Sequence, residues 1–462
     1  MQSVTLTQVL EERDNRAARQ KDLLAAYSCP LISFTMNIAG PVKISPLIER
    51  AFAEGLSFLE QALPPEKIRF AESRAAITGC LAMYCVDLDP LALKKICVKI
   101  EEATPLGRLF DMDVLDMDGR KLTRSMVSAH DSRGCMVCGA PGRTCQAGRL
   151  HSVSQLQEAT RSILNEYFAE ADAGRIGDMA VQSLLDEVYT TPKPGLVDRC
   201  SNGSHRDMDL STFLASARAL RPYFQQCVTI GQRTASKPPS ETFPFLRDAG
   251  LAAEAVMFTA TCGVNTHKGI IYTMGILCGA LGRLWTPELP FAPTRQLLST
   301  CAQIAADAAE ADLTQAAKEG VSHTVPTAGL SLYKALGLTG IRGEAAAGLP
   351  SVAKIGLPIY KQALEAGLTP NDAGAAALLH LIANVSDTNL YHRGGPDGAA
   401  FAAASARALL SNSAFPTADQ IAKLDQAFIS RNLSPGGCAD LLAVTYFLYA
   451  LEHSAIRHAK GI

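Results

Sequence analysis

The rhythm of apolar positions changes once along this chain, near residues 150–175. Before that point, short runs rich in β-formers alternate with helical stretches. Pro30–Ile38 is apolar and meets the turn signal Ala39-Gly40-Pro41, so it reads as a strand. Ile44–Leu63 places apolar residues at helical spacing and is closed by Pro64-Pro65. Ile77–Val86, Ile96–Ile100 and Arg108–Val114 read as further strands. After Leu150 clean alternation is scarce. Leu246–Thr261, Gly269–Leu284, Gln296–Ala317, Ile359–Leu368, Asp372–Val385, Ala399–Leu410 and Ala418–Ile429 carry helical periodicity. The pattern predicts a multidomain chain, an N-terminal α+β domain over 1–155 followed by an all-α helical domain over 175–462. Ala171-Asp172-Ala173-Gly174 reads as an exposed join, and Gly231–Phe243, with Pro238-Pro239, as a surface loop.

Composition narrows the class. With 462 residues, 48 % hydrophobic and 19 % charged, the chain has ample core material for two or three domains. A net charge of −2 gives no overall electrostatic case for nucleic acid or an anionic membrane as partner. Glu11, Glu12, Arg13 and Asp14 interrupt any apolar run near the N-terminus, so no secretory signal is expected. The charge-free stretch Gly269–Gly282 falls short of the roughly 20 residues that cross a bilayer and reads as a buried helix. Thirteen cysteines in a chain of this size point to reduced thiols and a cytoplasmic location, with room for one metal cluster. No P-loop or dinucleotide glycine fingerprint is present.

Chemistry concentrates first at residues 107–151. On a strand, Asp111 and Asp113 face the same side and can converge on one Mg²⁺, with Arg108 beside them to offset phosphate charge. The alternative is a solvated turn or an edge-strand pair. Cys135-x2-Cys138-x6-Cys145-x5-His151 can close a tetrahedral zinc site of structural type. The competing reading is a set of free cysteines in a loop that binds substrate through Arg133, Arg143 and Arg149.

Asn37-Ile38-Ala39-Gly40-Pro41-Val42-Lys43, the run GRLFDMDV at 107–114 and the CxxC…C…HS tail occur in this order. Together they resemble the CitX family of apo-citrate lyase phosphoribosyl-dephospho-CoA transferases over about residues 20–155. Ala39 stands where that family more usually has proline. The resemblance implies transfer of a phosphoribosyl-dephospho-CoA unit onto a serine of an acyl carrier subunit, with diphosphate released and Asp111 and Asp113 as the metal pair.

The helical half holds polar islands at the ends of apolar helices. They are Thr191–Arg199, Gly203–Asp209, Gly263–Gly269, Gly340–Ala345, Ser386–Asn389 leading to Arg393-Gly394-Gly395, and Asn432–Asp440. Glycines there let backbone N–H groups approach a phosphate, and helix N-termini favour anions. The candidate nucleotide- and phosphate-binding residues are Lys193, Asp198, Arg199, Asn265, Thr266, His267, Lys268, Arg342, Asp387, Asn389, Arg393, Gly394, Gly436 and Gly437. Asp207 and Asp209, with Asp198 and Asp387, supply carboxylates for Mg²⁺, and His205 or Glu344 can move a proton. Each island taken singly is equally a helix cap.

Six of these motifs, TPKPGLVDR, GSHRDMD, GVNTHKG, GIRGEA, DTN with RGG, and SPGGCADLLA, resemble in order the CitG family of triphosphoribosyl-dephospho-CoA synthases over about residues 185–445. Ser204 and Cys438 replace that family's more usual alanine and serine. The resemblance implies ATP and 3'-dephospho-CoA as substrates and free adenine as a product. Within it, Asp207 and Asp209 are metal-binding, Lys268 and Arg342 phosphate contacts, and Glu344 or His205 the acid/base. The expected partners are ATP, 3'-dephospho-CoA and the apo acyl carrier subunit of citrate lyase, and the expected cofactors Mg²⁺ and a structural Zn²⁺. The alternative is an N-glycosidic hydrolase joined to a zinc-bearing, non-catalytic module that binds a carrier protein.

Overall fold

The computed structural model describes residues 2–128, 133–140, 142–318 and 328–460 and divides into two compact units, Met1–Phe168 and Ala169–Ile462. The first unit runs α1 (Leu6–Tyr27), β1 (Leu31–Met36), α2 (Pro46–Ala62), β2 (Ile68–Ala76), β3 (Gly79–Val86), α3 (Pro90–Ala103), β4 (Phe110–Leu115) and α4 (Gly142–Gly148). The strands form one antiparallel sheet in the order β2-β3-β1-β4. Period-two alternation separates its faces. Ile32, Phe34, Tyr84, Ala82, Val114 and Met112 stand in register on one face and are buried. Leu31, Cys85, Met83 and Leu81 lie on the other, where Leu23 of α1 joins them in a second apolar cluster.

Ile96–Ile100 is not a strand but part of α3. Leu93, Cys97, Ile100 and Glu101 recur at i, i+4 and i+7/i+8, and the helix starts where Asp89 accepts a bond from the Ala92 amide ahead of Pro90 at the first position. A five-residue apolar run carries no period of its own, and the Asp-Pro start signal decides it. Besides α4, two elements of the first unit lie outside the sequence expectations. One is α1, tied to β2 by Arg19–Glu72 (2.8 Å) and Arg74–Glu12 (2.5 Å). The other is β2 itself, a charged edge strand.

The opposite edge, β4, has its outward backbone satisfied by side chains. Glu101 Oε1 accepts from the Met112 amide (2.9 Å) and Lys94 Nζ donates to the Met112 carbonyl (2.9 Å), both from α3. Glu101 is also the buried partner of Arg124 (2.5 Å) and Arg133 (3.3 Å). Met112 lies between Asp111 and Asp113, so this clamp sets the direction of both. Glu101→Ala leaves the Met112 amide without its acceptor and takes one carboxylate from Arg124, which keeps Glu102, and from Arg133, which keeps the Gly107 carbonyl, at a cost of about 1–3 kcal/mol. The expected readout is an earlier urea transition for the first unit, with faster hydrogen exchange at the β4 amides.

The second unit is helical. α5 (Val153–Tyr189) spans the division between units; α6 (Leu210–Ala219), α7 (Arg221–Thr234), α8 (Phe243–Ala260), α9 (Lys268–Leu284), α10 (Thr294–Lys318), α11 (Ala328–Leu336) and α12 (Gly340–Ala346) follow. The chain continues through α13 (Leu357–Glu365), α14 (Pro370–Asn384), α15 (Thr388–Asn412), α16 (Ala418–Ser430) and α17 (Gly436–Lys460). Ala171–Gly174 is not an exposed join. It lies within α5, where Asp172 is fully buried and accepts from Trp285 Nε1 (2.8 Å) and Arg175 (3.0 Å). The loop expected over Gly231–Phe243 is also shorter, because α7 continues to Thr234 and Thr234 and Thr242 are buried beside Arg283.

α9 is apolar on all sides and sits at the centre of the core. It meets α7 through glycines. A Cβ on Gly231 would stand 2.0 Å from the Gly279 carbonyl oxygen, and one on Gly282 2.0 Å from that of Val228. Among the described residues, no helix is long and apolar enough to cross a membrane.

Candidate functional site

The helical unit encloses a cavity of about 850 Å³, toward the upper end of the ~300–1,000 Å³ usual for small-molecule sites. Its wall includes the first residues of α9 (Lys268, Gly269), α15 (Thr388, Asn389) and α17 (Gly436, Gly437), three helix ends that present amides and positive dipole. Of the residues expected at a ligand, Lys193, His205, Asn265, Thr266, His267, Lys268, Arg342, Glu344, Asp387, Asn389, Arg393, Gly436 and Gly437 line this cavity. Six islands separated by up to about 240 residues of sequence therefore meet around one space.

Several of these groups are already engaged. Lys193, 1 % exposed, holds Glu187 through its carboxylate (2.5 Å) and its carbonyl (2.7 Å). Asp387 caps α15 through the Asn389 amide (2.8 Å) and receives the Cys438 amide of α17 (2.8 Å), so one carboxylate fixes two helix starts. Glu344 accepts from the hydroxyl (2.5 Å) and amide (3.2 Å) of Ser351. Lys268 pairs with Glu254 at 2.7 Å, and Arg342 stacks 5.7 Å from the Tyr272 ring centroid.

His205 and His267 are held neutral. His205 accepts from Arg393 at Nδ1 (3.0 Å), so its proton is on Nε2 and donates to Ser434 Oγ (2.9 Å). Burial, reinforced by Arg393, lowers its pKa to about 4. Both ring nitrogens are committed to protein groups, so His205 as it stands has no free nitrogen for the proton step expected of it. His267 is buried. Thr266 Oγ1 donates to Ser216 Oγ (2.7 Å), whose proton goes to His267 Nδ1 (2.7 Å), leaving Nε2 to carry hydrogen. Burial and then Lys193 push its pKa down to about 3.

Asp198, Arg199, Asp207, Asp209 and Gly394 do not line the cavity. Asp209 is the N-cap of α6, bonded to Ser211 Oγ (2.7 Å) and to the amide and hydroxyl of Thr212 (both 2.9 Å). Those bonds hold its pKa down to about 2. Asp207 is exposed. Asp198 organises a turn by accepting from the amides of Lys193 (3.0 Å), Cys200 (2.7 Å) and Ser201 (2.9 Å). Arg199 reaches Asn371 (3.0 Å), and Gly394 packs under Leu433. These are cap and turn residues, chemically identical to ligands and distinguished only by where the chain places them.

One group missed in sequence is Asp440. It lies in the cavity wall, and among the described residues none donates a hydrogen bond to its carboxylate. Burial, then Glu187 and Asp387, raise its pKa well above the carboxylate range. Its Oδ2 occupies the place that a Cβ at position 269 would need (2.0 Å), so Gly269 is what admits the acid against the first turn of α9.

In the first unit, Asp111 and Asp113 lie on one face of β4, opposite Thr35 and Ser33 of β1. Asp113 pairs with Lys121 at 2.6 Å. Partial desolvation by the surrounding protein and then the adjacent Asp113 raise the pKa of Asp111, whose side chain stays open to solvent. Arg108 donates to the Gly134 carbonyl and so braces a loop. Cys135, Cys138, Cys145 and His151 bring their four donor atoms within 4.8 Å of one another. The Arg143 side chain lies outside the described residues.

Residues 173–458 match the family of ATP:dephospho-CoA triphosphoribosyl transferases, CitG, and residues 4–167 match CitX, apo-citrate lyase phosphoribosyl-dephospho-CoA transferase. Protein CitXG of Haemophilus influenzae is 35 % identical over 459 residues, covering 97 % of each chain. The chain belongs to the CitXG family. CitXG of Leuconostoc mesenteroides subsp. cremoris is 30 % identical, with 98 % of each chain covered. The 2-(5''-triphosphoribosyl)-3'-dephosphocoenzyme-A synthase of Pectobacterium atrosepticum is 42 % identical over 290 residues, 63 % of this chain and 93 % of its own length. As a CitXG chain, the protein is a bifunctional transferase, with the CitG cavity and the CitX carboxylate pair in separate units.

Proposed function

We propose that the helical unit joins ATP to 3'-dephospho-CoA, forming 2'-(5''-triphosphoribosyl)-3'-dephospho-CoA and free adenine. The first unit then transfers phosphoribosyl-dephospho-CoA to a serine of the acyl carrier subunit of citrate lyase and releases diphosphate. Both reactions run in the cytoplasm. The observation that carries this reading is the cavity itself, where three helix N-termini suited to a triphosphate share a wall with an acid that accepts no hydrogen bond from any described residue.

In the first reaction the C1'–N9 bond of ATP breaks and a bond forms from C1' to the 2'-oxygen of dephospho-CoA. The 2'-hydroxyl loses its proton and adenine gains one, so no water is consumed. Adenine is a poor leaving group unless protonated, and C1' gathers positive charge as it departs. Asp440, held protonated by its surroundings, is the donor we assign to adenine, in place of Glu344 or His205. We assign the phosphate oxygens to His267 Nε2 and Lys268, both in the cavity wall.

In the second reaction the carrier serine attacks the phosphorus nearest the ribose, and the bond to diphosphate breaks. Asp111 and Asp113 suit Mg²⁺, since they share one strand face and a cation there would offset the desolvation and, after it, the Asp113 charge that raise Asp111. Bound there, the ion would neutralise the triphosphate. Asp207 and Asp209 suit it less, because neither lines the cavity and Asp209 Oδ1 takes three bonds of the α6 cap. Asp113→Asn is expected to slow carrier modification about 100-fold while adenine release is unchanged. The pH dependence has a definite sign. Lowering pH protonates Asp111 earlier than an ordinary aspartate, so the Mg²⁺ concentration needed for transfer rises toward acid pH. A magnesium titration at several pH values measures this.

The deciding experiment is chromatography of adenine after incubation with ATP and Mg²⁺, with and without 3'-dephospho-CoA. Adenine only in the presence of dephospho-CoA supports the synthase. Equal adenine without it means hydrolysis and overturns the reading.

A further inference from the structure

The geometry points to a structural zinc ion held by Cys135, Cys138, Cys145 and His151 in the first unit. Cys138 Sγ lies 3.4 Å from Cys145 Sγ and 3.2 Å from His151 Nε2, and all four donors fall within 4.8 Å of one another. A tetrahedral ion with Zn–S near 2.3 Å and Zn–N near 2.0–2.1 Å sets its donors about 3.6–3.8 Å apart. The observed spacing differs by only a few tenths of an ångström on the pairs given. A disulfide needs about 2.05 Å between sulfurs and would leave Cys135 and His151 unexplained.

The backbone is built for the same purpose. Cys135-Met136-Val137-Cys138-Gly139 forms a tight turn in which the Gly139 amide donates to the Cys135 carbonyl (2.9 Å), and the Cys135 amide to that of Ala140 (2.6 Å). Gly139 has φ 72°, a conformation that the residue closing such a turn needs and a side chain resists. The Val137 amide points at Cys135 Sγ (3.4 Å), a donor placed to stabilise a thiolate. The third cysteine comes from α4 and is buried. The Leu150 amide bonds back to the Cys145 carbonyl (3.1 Å), turning the chain so that His151 meets the sulfurs. Four protein donors leave no open position, so the ion's role is to hold structure.

The cluster has something to hold. Arg133 donates to the Gly107 carbonyl (2.9 Å) and reaches Glu101 (3.3 Å), while Arg108 donates to the Gly134 carbonyl. These reciprocal bonds stitch the zinc turn to the residues entering β4 and to the carboxylate that clamps Met112. The zinc therefore braces the strand bearing Asp111 and Asp113. Its effect on transfer rests on the proposed function above, but its presence does not.

The test is elemental analysis of the full chain, expressed with zinc and dialysed against metal-free buffer. About one zinc per chain is expected. It should be lost in Cys138→Ser and in His151→Ala, kept in Cys200→Ser and restored in part by His151→Cys. Adenine release that persists in Cys138→Ser shows that the helical unit has folded, and amide protection retained at β1 and β3 in that variant shows that the first unit has. Cobalt substitution of the unaltered chain supplies a readout free of any variant, an intense thiolate-to-metal charge-transfer band. A metal-free chain after zinc-supplemented expression overturns the inference. So does zinc that persists in both ligand variants, or a Cys138–Cys145 disulfide in freshly purified protein.

Discussion

Asp440→Asn is expected to slow adenine release by about 10²- to 10⁴-fold, the range for loss of a positioned general acid. The amide matches the carboxyl in shape, so it still fits against Gly269, where there is no room for a Cβ. What it lacks is a transferable proton. The change should fall on kcat rather than KM, and it should remove from the pH profile the ionisation that burial, Glu187 and Asp387 displace upward. Transfer from ready-made triphosphoribosyl-dephospho-CoA to the carrier should proceed unchanged, since that chemistry belongs to the other unit. An Asp440→Asn chain with normal adenine release would move the proton step elsewhere, with Glu344 next in line because it too faces the cavity.

The second large effect is on stability. Gly231→Ala should destabilise the helical unit by about 1–3 kcal/mol or more, because the added methyl meets backbone rather than a side chain that can turn away. Its nearest neighbours would be the Gly279 carbonyl oxygen at 2.0 Å and the Arg283 amide at 2.9 Å, so α7 and α9 must separate. Gly250→Ala in α8 is the matched control. There a Cβ finds ordinary contacts, 3.5 Å from Tyr223 Oη and 3.7 Å from Ile271. With no clash, the helix-propensity gain of up to ~1 kcal/mol remains, and the melting temperature should hold or rise. Thermal melts of the two variants, opposite in sign, separate close packing from propensity.

Much of this architecture is legible in the residues. The periodicity of α8 and α16 needs no partner to be read, because each repeats over several turns, while α9 and α14 show themselves by long apolar runs bounded by turn residues. Ile96–Ile100 is too short to show a period, and only the Asp89-Pro90 start signal separates helix from strand. The edge strand β2 hides for a different reason: Arg69, Glu72 and Arg74 put charge where a half-buried strand would show apolar alternation.

At the site, the ordered islands mark where the chain returns to one cavity, but not which member of each island faces it. Asp209 and Asp198 look like ligands in sequence and serve as cap and turn acceptors. Asp440 looks like an ordinary helix residue two places beyond Gly437-Cys438, and only the approach of α17 to the first turn of α9 sets it in the wall. The Asp111–Asp113 pairing was readable because strand geometry alone decides which side chains share a face.

The clamp on Met112 bears on how a carrier protein can approach. An open strand edge invites a visiting chain to lengthen the sheet, and β-augmentation is a common way for extended segments to dock. Here Lys94 and Glu101 already occupy the outward carbonyl and amide of the residue between the two aspartates. A carrier loop cannot deliver its serine by extending the sheet at that point. On the proposed function, it must present the hydroxyl from over the face on which Asp111 and Asp113 stand, and recognition there depends on the shape and charge of the incoming loop rather than on backbone pairing.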